Sequence, residues 1–166
     1  MRIVGIDPGY AIVGYGAVDY NGNAFRTVEY GAVLTQAHTP FTDRLMQIDR
    51  EITDFLVRVK PQALSIEKLF FYNNKTTAID VAQARGVTLL AAAKLGIPIF
   101  EYTPMQVKLG VVGYGKAEKA QVMEMTRLIL GLKAVPKPDD TADALAMAIC
   151  HAHTAASAMG RIKLGR

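Results

Sequence analysis

The sequence predicts a single α/β domain, a mixed five-stranded sheet flanked by helices. Three observations predict it. The first part of the chain carries three apolar runs of strand length separated by turn signals, which reads as antiparallel pairing. The rest alternates helical and strand periods, the pattern of crossover connections between parallel strands. No repeat, low-complexity run or Pro/Ser-rich linker divides the 166 residues, a length that one hydrophobic core can serve.

In chain order, residues 2–6 form a short apolar strand closed by the turn signal Asp7-Pro8-Gly9. Residues 11–19 are a second strand, and Asn21-Gly22-Asn23 turns the chain into a third over 24–35. Thr39-Pro40 has the form of a helix start, a capping hydroxyl with proline at the first helical position. Leu45, Ile48, Ile52, Phe55 and Val59 then recur at spacings of three and four, and Pro61 stops the helix. Ala63-Leu64-Ser65-Ile66 is the fourth strand and delivers Glu67 at its end. After a loop over 68–74, an Ala-rich helix spans 76–95 with Gly86 inside it and Gly96 as its stop. A fifth strand over 97–102 follows, then a short helix over 104–111, a loop at Gly113-Tyr114-Gly115 and a helix over 116–130. Pro136 and Pro138 break the chain before a last helix from about 140 to 156. The domain therefore covers residues 1–156, and residues 157–166 are expected as a loose tail.

Composition narrows the class. Hydrophobic residues make up 51% and charged residues 20%, which excludes a disordered chain and a collagen-like or coiled-coil repeat. The single cysteine, Cys150, leaves no internal disulfide and fits a reducing cytoplasm. Asp7 comes too early for a signal peptide, and the most apolar stretch, 87–93, falls far short of the ~20 residues of a membrane span. A cytoplasmic protein without membrane contact is expected. The net charge of +4, from 19 Lys and Arg against 15 Asp and Glu, is compatible with a nucleic-acid partner and equally with ordinary solvated lysines.

Four carboxylates are the candidates for chemistry. Asp7 ends the first strand and Glu67 the fourth; parallel pairing of those strands brings both acids to one sheet edge, where α/β folds place ligands. Asp140 and Asp143 are three apart and share one face of the last helix. Converging acids repel unless a cation neutralises them, and hard oxygen donors point to Mg²⁺ or Mn²⁺. Each residue singly also has a plainer reading: Asp7 as part of a turn, Asp139 and Asp140 as helix caps.

The motifs Ile6-Asp7-Pro8-Gly9, Gly14-Tyr15-Gly16, Ile66-Glu67-Lys68-Leu69-Phe70, Ala82-Gln83-Ala84-Arg85-Gly86, Gln106-Val107-Lys108, Glu118-Lys119-Ala120-Gln121-Val122 and Asp140-Thr141-Ala142-Asp143-Ala144-Leu145-Ala146 occur in order to about His153. As a set they resemble the RuvC family, bacterial Holliday-junction resolvases of the ribonuclease H-like superfamily. The resemblance implies a ribonuclease H-like sheet and a structure-selective DNA endonuclease that resolves four-way junctions in recombination and repair. It implies that Asp7, Glu67, Asp140 and Asp143 hold two divalent ions per subunit, Mg²⁺ with Mn²⁺ as a substitute. It further implies a homodimer that nicks two like-oriented strands of junction DNA, with a branch-migration helicase complex as a further partner. Where the family commonly has Asp-Ala-Ala-Asp, this chain reads Asp140-Thr141-Ala142-Asp143 behind an additional Asp139. Helical spacing favours Asp140 for the metal, with Asp139 outside the helix as its cap.

Two-metal phosphodiester hydrolysis requires neither a Ser-His-Asp triad nor a nucleophilic cysteine. Lys119 and Lys108 would hold phosphate as point charges, and Phe70, singled out by the resemblance, would stack on unpaired bases at the junction centre, with core packing the plainer role for its neighbours Phe71 and Tyr72. Gly110 to Ala117 nearly spells a phosphate-binding loop but lacks the Ser or Thr that would ligate Mg²⁺. Cys150, His151 and His153 are too close in sequence on one helix to share a zinc ion. Ala78, Ala82, Gly86 and Ala93 recur at helical spacing, fit either for the core or for a close helix contact across a dimer. Among rival classes, an actin-like or sugar-kinase ATPase requires a far longer duplicated chain, a non-catalytic junction-binding module would not require four acids, and a resolvase-like nuclease acting on RNA fits the motifs less well.

Overall fold

Strands β1 (Arg2–Asp7), β2 (Ile12–Tyr20) and β3 (Phe25–Leu34) form an antiparallel meander, paired Gly5 to Gly16 and Gly14 to Ala32. The β2–β3 turn is built by Asn21, whose side-chain oxygen accepts from the N–H of Asn23 at 3.0 Å and of Ala24 at 2.9 Å. Helix α1 (Phe41–Val59) crosses to β4 (Ala63–Glu67), which lies parallel to β1. Helix α2 (Lys75–Lys94) returns the chain to β5 (Ile99–Tyr102), parallel to β4, and the sheet order is β3-β2-β1-β4-β5. Helices α3 (Pro104–Val112), α4 (Lys119–Ile129) and α5 (Asp139–Met159) follow. The computed structural model describes residues 1–68 and 75–159.

Among the described residues, five strands and five helices follow the sequence reading; most ends shift by a residue, and the larger differences, at α1, β5, α4 and α5, have a visible cause. Pro40 occupies the cap of α1 instead of its first turn, and its carbonyl accepts from the N–H groups of Asp43 and Arg44. The fifth strand starts at Ile99, not 97, because the Ile97 N–H is committed to the Ala92 carbonyl at the end of α2 and Pro98 has no N–H to give. The fourth helix starts at Lys119, not 116; the Glu118 N–H donates to Gln121 Oε1 at 2.8 Å and closes the first turn there. The last helix starts at Asp139 and reaches Met159, so Asp139 is its first residue instead of a cap outside it. The helix runs three residues past the expected 156, and residues 160–166 lie outside the described residues.

The sheet is covered on both faces, as its parallel half requires. Successive β1 side chains alternate: Val4 and Ile6 pack with Ile48, Ile52 and Phe55 of α1 and Ala84 and Ala91 of α2, while Ile3 packs with Leu145, Ala148 and Ile149 of α5. On that second face the strands present glycine where α5 crosses. A β-carbon on Gly5 would stand 1.9 Å from the Ala144 carbonyl oxygen, and one on Gly14 2.0 Å from the Asp140 carbonyl oxygen. The backbone of α5 therefore rests directly on β1 and β2, and its N-terminal end is pinned beside the end of β1.

Candidate active site

Parallel pairing of Ile6 with Ile66 carries Asp7 and Glu67 out of the sheet at the same edge, as the strand pattern predicts. The Gly14 contact brings the first turns of α5 to that edge. Asp7, Glu67 and Asp143 line a cleft of about 190 Å³ together with Lys108 from α3, Lys119 from α4 and an apolar wall that includes Val107, Val122 and Met147. Asp140 is not among the cleft-lining residues, but its charge acts on Asp7.

The electrostatics of the cleft are those of crowded acids. Burial, then the charges of Asp143, Glu67 and Asp140, push the Asp7 carboxyl up to about 8, with Lys119 opposing. Glu67 is raised by burial and by Asp143, again against Lys119. Asp143 is raised by burial, while the Lys119 ammonium, with Nζ 2.8 Å from Asp143 Oδ2, pulls it back down. The same pair raises Lys119. A group of carboxylates held out of water beside one another is stabilised by positive charge, and Lys119 supplies one such charge from the chain itself.

The donors fit a hard divalent cation in kind: all are carboxylate oxygens, from three elements, facing one another's charge. Among the described residues no three such side chains close around one point as a finished cage.

Asp139 is separated from Asp140 by its partner. Although it lies within the helix, its carboxylate is taken by Lys137, with Nζ 2.6 Å from Oδ1, which holds it below the usual carboxylate range. Its charge still reaches Asp143 and Lys119. Asp140 therefore remains the candidate, for a different reason than the expected cap. Both predicted phosphate lysines, Lys108 and Lys119, line the cleft. Phe70 falls at 69–74 and lies outside the described residues.

The motifs set aside on sequence stay apart in space. The Cys150 thiol donates to the Gln106 carbonyl, His151 Nδ1 lies 2.7 Å from the Tyr102 hydroxyl, and His153 Nδ1 lies 2.7 Å from the Gly110 carbonyl oxygen. Gly113, at φ 92°, ends α3, so the glycine-rich stretch is a helix stop and not a phosphate loop. Of the small residues on α2, Gly86 and Ala93 are exposed and Ala82 is half-buried; the core face is Ala84, Thr88, Ala91 and Ala92. Two features had no role assigned on sequence. The apolar wall of Val107, Val122 and Met147 depends on three helices meeting, and Arg85, quoted there only as part of the motif Ala82-Gln83-Ala84-Arg85-Gly86, reaches the Glu67 carbonyl.

Comparison with known proteins identifies the family of the chain. Residues 3–151 match the family model described as crossover junction endodeoxyribonuclease RuvC. A protein of that name from Desulfitobacterium hafniense is 54% identical over 154 residues, 93% of each chain, and one from Brevibacillus brevis is 57% identical over 152 residues, 92% of each. The structure of Thermus thermophilus RuvC in complex with Holliday junction substrate superposes with a TM-score of 0.91 at 39% identity, over 95% of this chain and 96% of that one. The yeast mitochondrial Holliday junction resolvase Ydc2, at 14% identity and a TM-score of 0.65, shares the fold. With residues 3–151 matched by the family model and relatives above 50% identity over nearly the full length, the chain belongs to the RuvC family of crossover junction endodeoxyribonucleases.

Proposed function

We propose that this chain resolves four-way DNA junctions by metal-dependent nicking at the cleft around Asp7. The observation that carries the reading is the gathering of acids from β1, β4 and α5 beside Lys108 and Lys119. Asp7, Glu67, Asp140 and Asp143 hold two divalent ions per subunit, Mg²⁺ with Mn²⁺ as a substitute. Ions bound there supply activation of a water and neutralisation of charge on the phosphate. The chain's own groups do the rest. Lys108 and Lys119 attract and orient the phosphodiester as point charges, and Val107, Val122 and Met147 keep bulk water from one wall. Phe70 follows Glu67 closely enough in sequence to reach a base beside the cut strand.

Two nicks require two sites. The outer face of α2 carries Ile79, 66% exposed, and Leu90, 52% exposed, with open space over Gly86 between them. A second copy packed on that face makes an isologous homodimer whose two-fold axis matches that of the junction. The working compartment is the cytoplasm, and a branch-migration helicase complex is the further partner. No described helix is long and apolar enough to cross a membrane.

The test is incubation of end-labelled four-way DNA junctions with Mg²⁺, Mn²⁺ or chelator, beside linear duplex and an RNA four-way junction, using the parent and Asp7→Asn. The expected result is paired symmetric nicks on the DNA junction alone, dependent on metal and absent in Asp7→Asn, which still binds. Tight binding without cutting in either metal would make the chain a binding module. Faster cutting of the RNA junction would make it an RNA nuclease.

A further inference from the structure

Arg85 sits on α2 with its side chain 12% exposed. Two acceptors on different strands hold it. Its Nε donates to the backbone carbonyl of Glu67 at 3.1 Å, and its Nη2 is ion-paired with Glu101 of β5. Glu67 and Tyr102 are paired at the last register position of β4 and β5, and the Lys68 N–H donates to the Tyr102 carbonyl just beyond it. The guanidinium thus reaches the point where β4 leaves the sheet, on the backbone of the residue whose carboxylate lines the cleft.

We propose that Arg85 is a positioning residue for Glu67: it clamps the Glu67 carbonyl and Glu101 together against α2 and so fixes the direction in which the Glu67 carboxylate leaves the strand. The β1–β4 ladder ends at Ile6 and Ile66, so Glu67 lies past the pairing that holds the rest of β4 on that side. A residue at a strand end retains backbone freedom unless something grips it, and an error near 1 Å in a catalytic group costs about a hundredfold in rate. A guanidinium suits the task because its fork donates in two directions at once, whereas an ammonium is one point charge. Because α2 also carries Ile79, Gly86 and Leu90 on its outer face, the same clamp links the proposed dimer helix to the cleft.

The inference rests on the proposed metal-dependent cleavage, so its test carries a readout independent of cutting. Arg85→Lys, Arg85→Gln and Glu101→Gln would be compared with the parent by Mg²⁺ titration calorimetry on the metal-free protein, by junction binding in chelator and by cleavage kinetics. Asp7→Asn marks the loss of the site. The expected result for Arg85→Lys is Mg²⁺ binding weakened about three- to tenfold and kcat lowered about tenfold, with junction Kd within twofold of the parent. Arg85→Gln should be worse than Arg85→Lys, and Glu101→Gln, which spares the Glu67 contact, should lie between Arg85→Lys and the parent. Folded variants with parental Mg²⁺ affinity and kcat would overturn the proposal. So would a loss confined to junction affinity, which would make Arg85 a DNA contact, or a loss that vanishes on cooling in step with recovered folding. If the parent binds Mg²⁺ in an Asp7-dependent way but cuts no junction, the cleavage reading fails while the calorimetric test of Arg85 still stands.

Discussion

Gly14 of β2 touches the backbone of Asp140 of α5: a β-carbon on Gly14 would lie 2.0 Å from the Asp140 carbonyl oxygen and 2.9 Å from the Thr141 nitrogen. Both neighbours are backbone, so neither can swing aside. Gly14→Ala should push the start of α5 off the sheet, at a cost of ~2–4 kcal/mol, and carry Asp140 and Asp143 away from Asp7. Thermal unfolding should show the loss of stability. Cleavage at a temperature where the variant stays folded should fall on the order of a hundredfold. Parental cleavage by a folded Gly14→Ala protein would disconnect the glycine from the site.

The two adjacent acids at the head of α5 should behave differently. Asp140→Asn should abolish cutting and keep junction binding, since it removes a negative charge that acts on Asp7. Asp139→Asn should retain most activity, since that carboxylate is engaged by Lys137. Cleavage assays on the two single variants decide the matter; equal inactivity would assign Asp139 to the metal site as well.

Asp7 predicts a pH dependence of the metal-free protein. Its carboxyl stands at about 8 in the folded chain against an ordinary 3.8, so the folded state holds the proton more tightly than the unfolded state does. Stability from this group is fully present below about pH 4 and is lost as pH rises towards 8. Asp7→Asn should therefore be more stable than the parent at pH 8, on the order of 1–3 kcal/mol, and nearly equal at pH 4. Chemical denaturation in chelator at both pH values measures it. Adding Mg²⁺ at pH 7 should release protons from the parent, seen as a buffer-dependent heat, and Asp7→Asn should release fewer.

The outer face of α2 predicts the assembly. Gly86 has open space where its β-carbon would be, and Leu90 lies one turn further along the same exposed face, so a charge at either site should leave the fold intact. Gly86→Glu and Leu90→Glu should give folded monomers by circular dichroism and light scattering, with paired nicking of a supercoiled cruciform reduced at least tenfold. Dimers from both variants would move the interface elsewhere.

The chain determined its strands and helices through period and punctuation. The Asn21-Gly22-Asn23 turn, the spacing from Leu45 to Val59 and the placement of Asp7 and Glu67 at strand ends were all legible, because each depends on residues near one another in sequence. Boundaries failed where a backbone group was claimed by a neighbour, as Ile97 is by Ala92 and Glu118 by Gln121. Spacing also put Asp140 and Asp143 on one face of a helix, yet it could not say what that face meets. Only the packing of α5 on Gly5 and Gly14 decided that, together with Lys137 taking Asp139, Lys119 taking Asp143 and Arg85 reaching under Glu67. Of these pairings, Lys119–Asp143 and Arg85–Glu67 join residues far apart in the chain, and even the close pair Lys137–Asp139 depends on how the helix end is turned. A charge or hydrogen bond falls off over a few ångströms, so its partner is fixed by how closely the elements pack, which the period of a sequence does not encode.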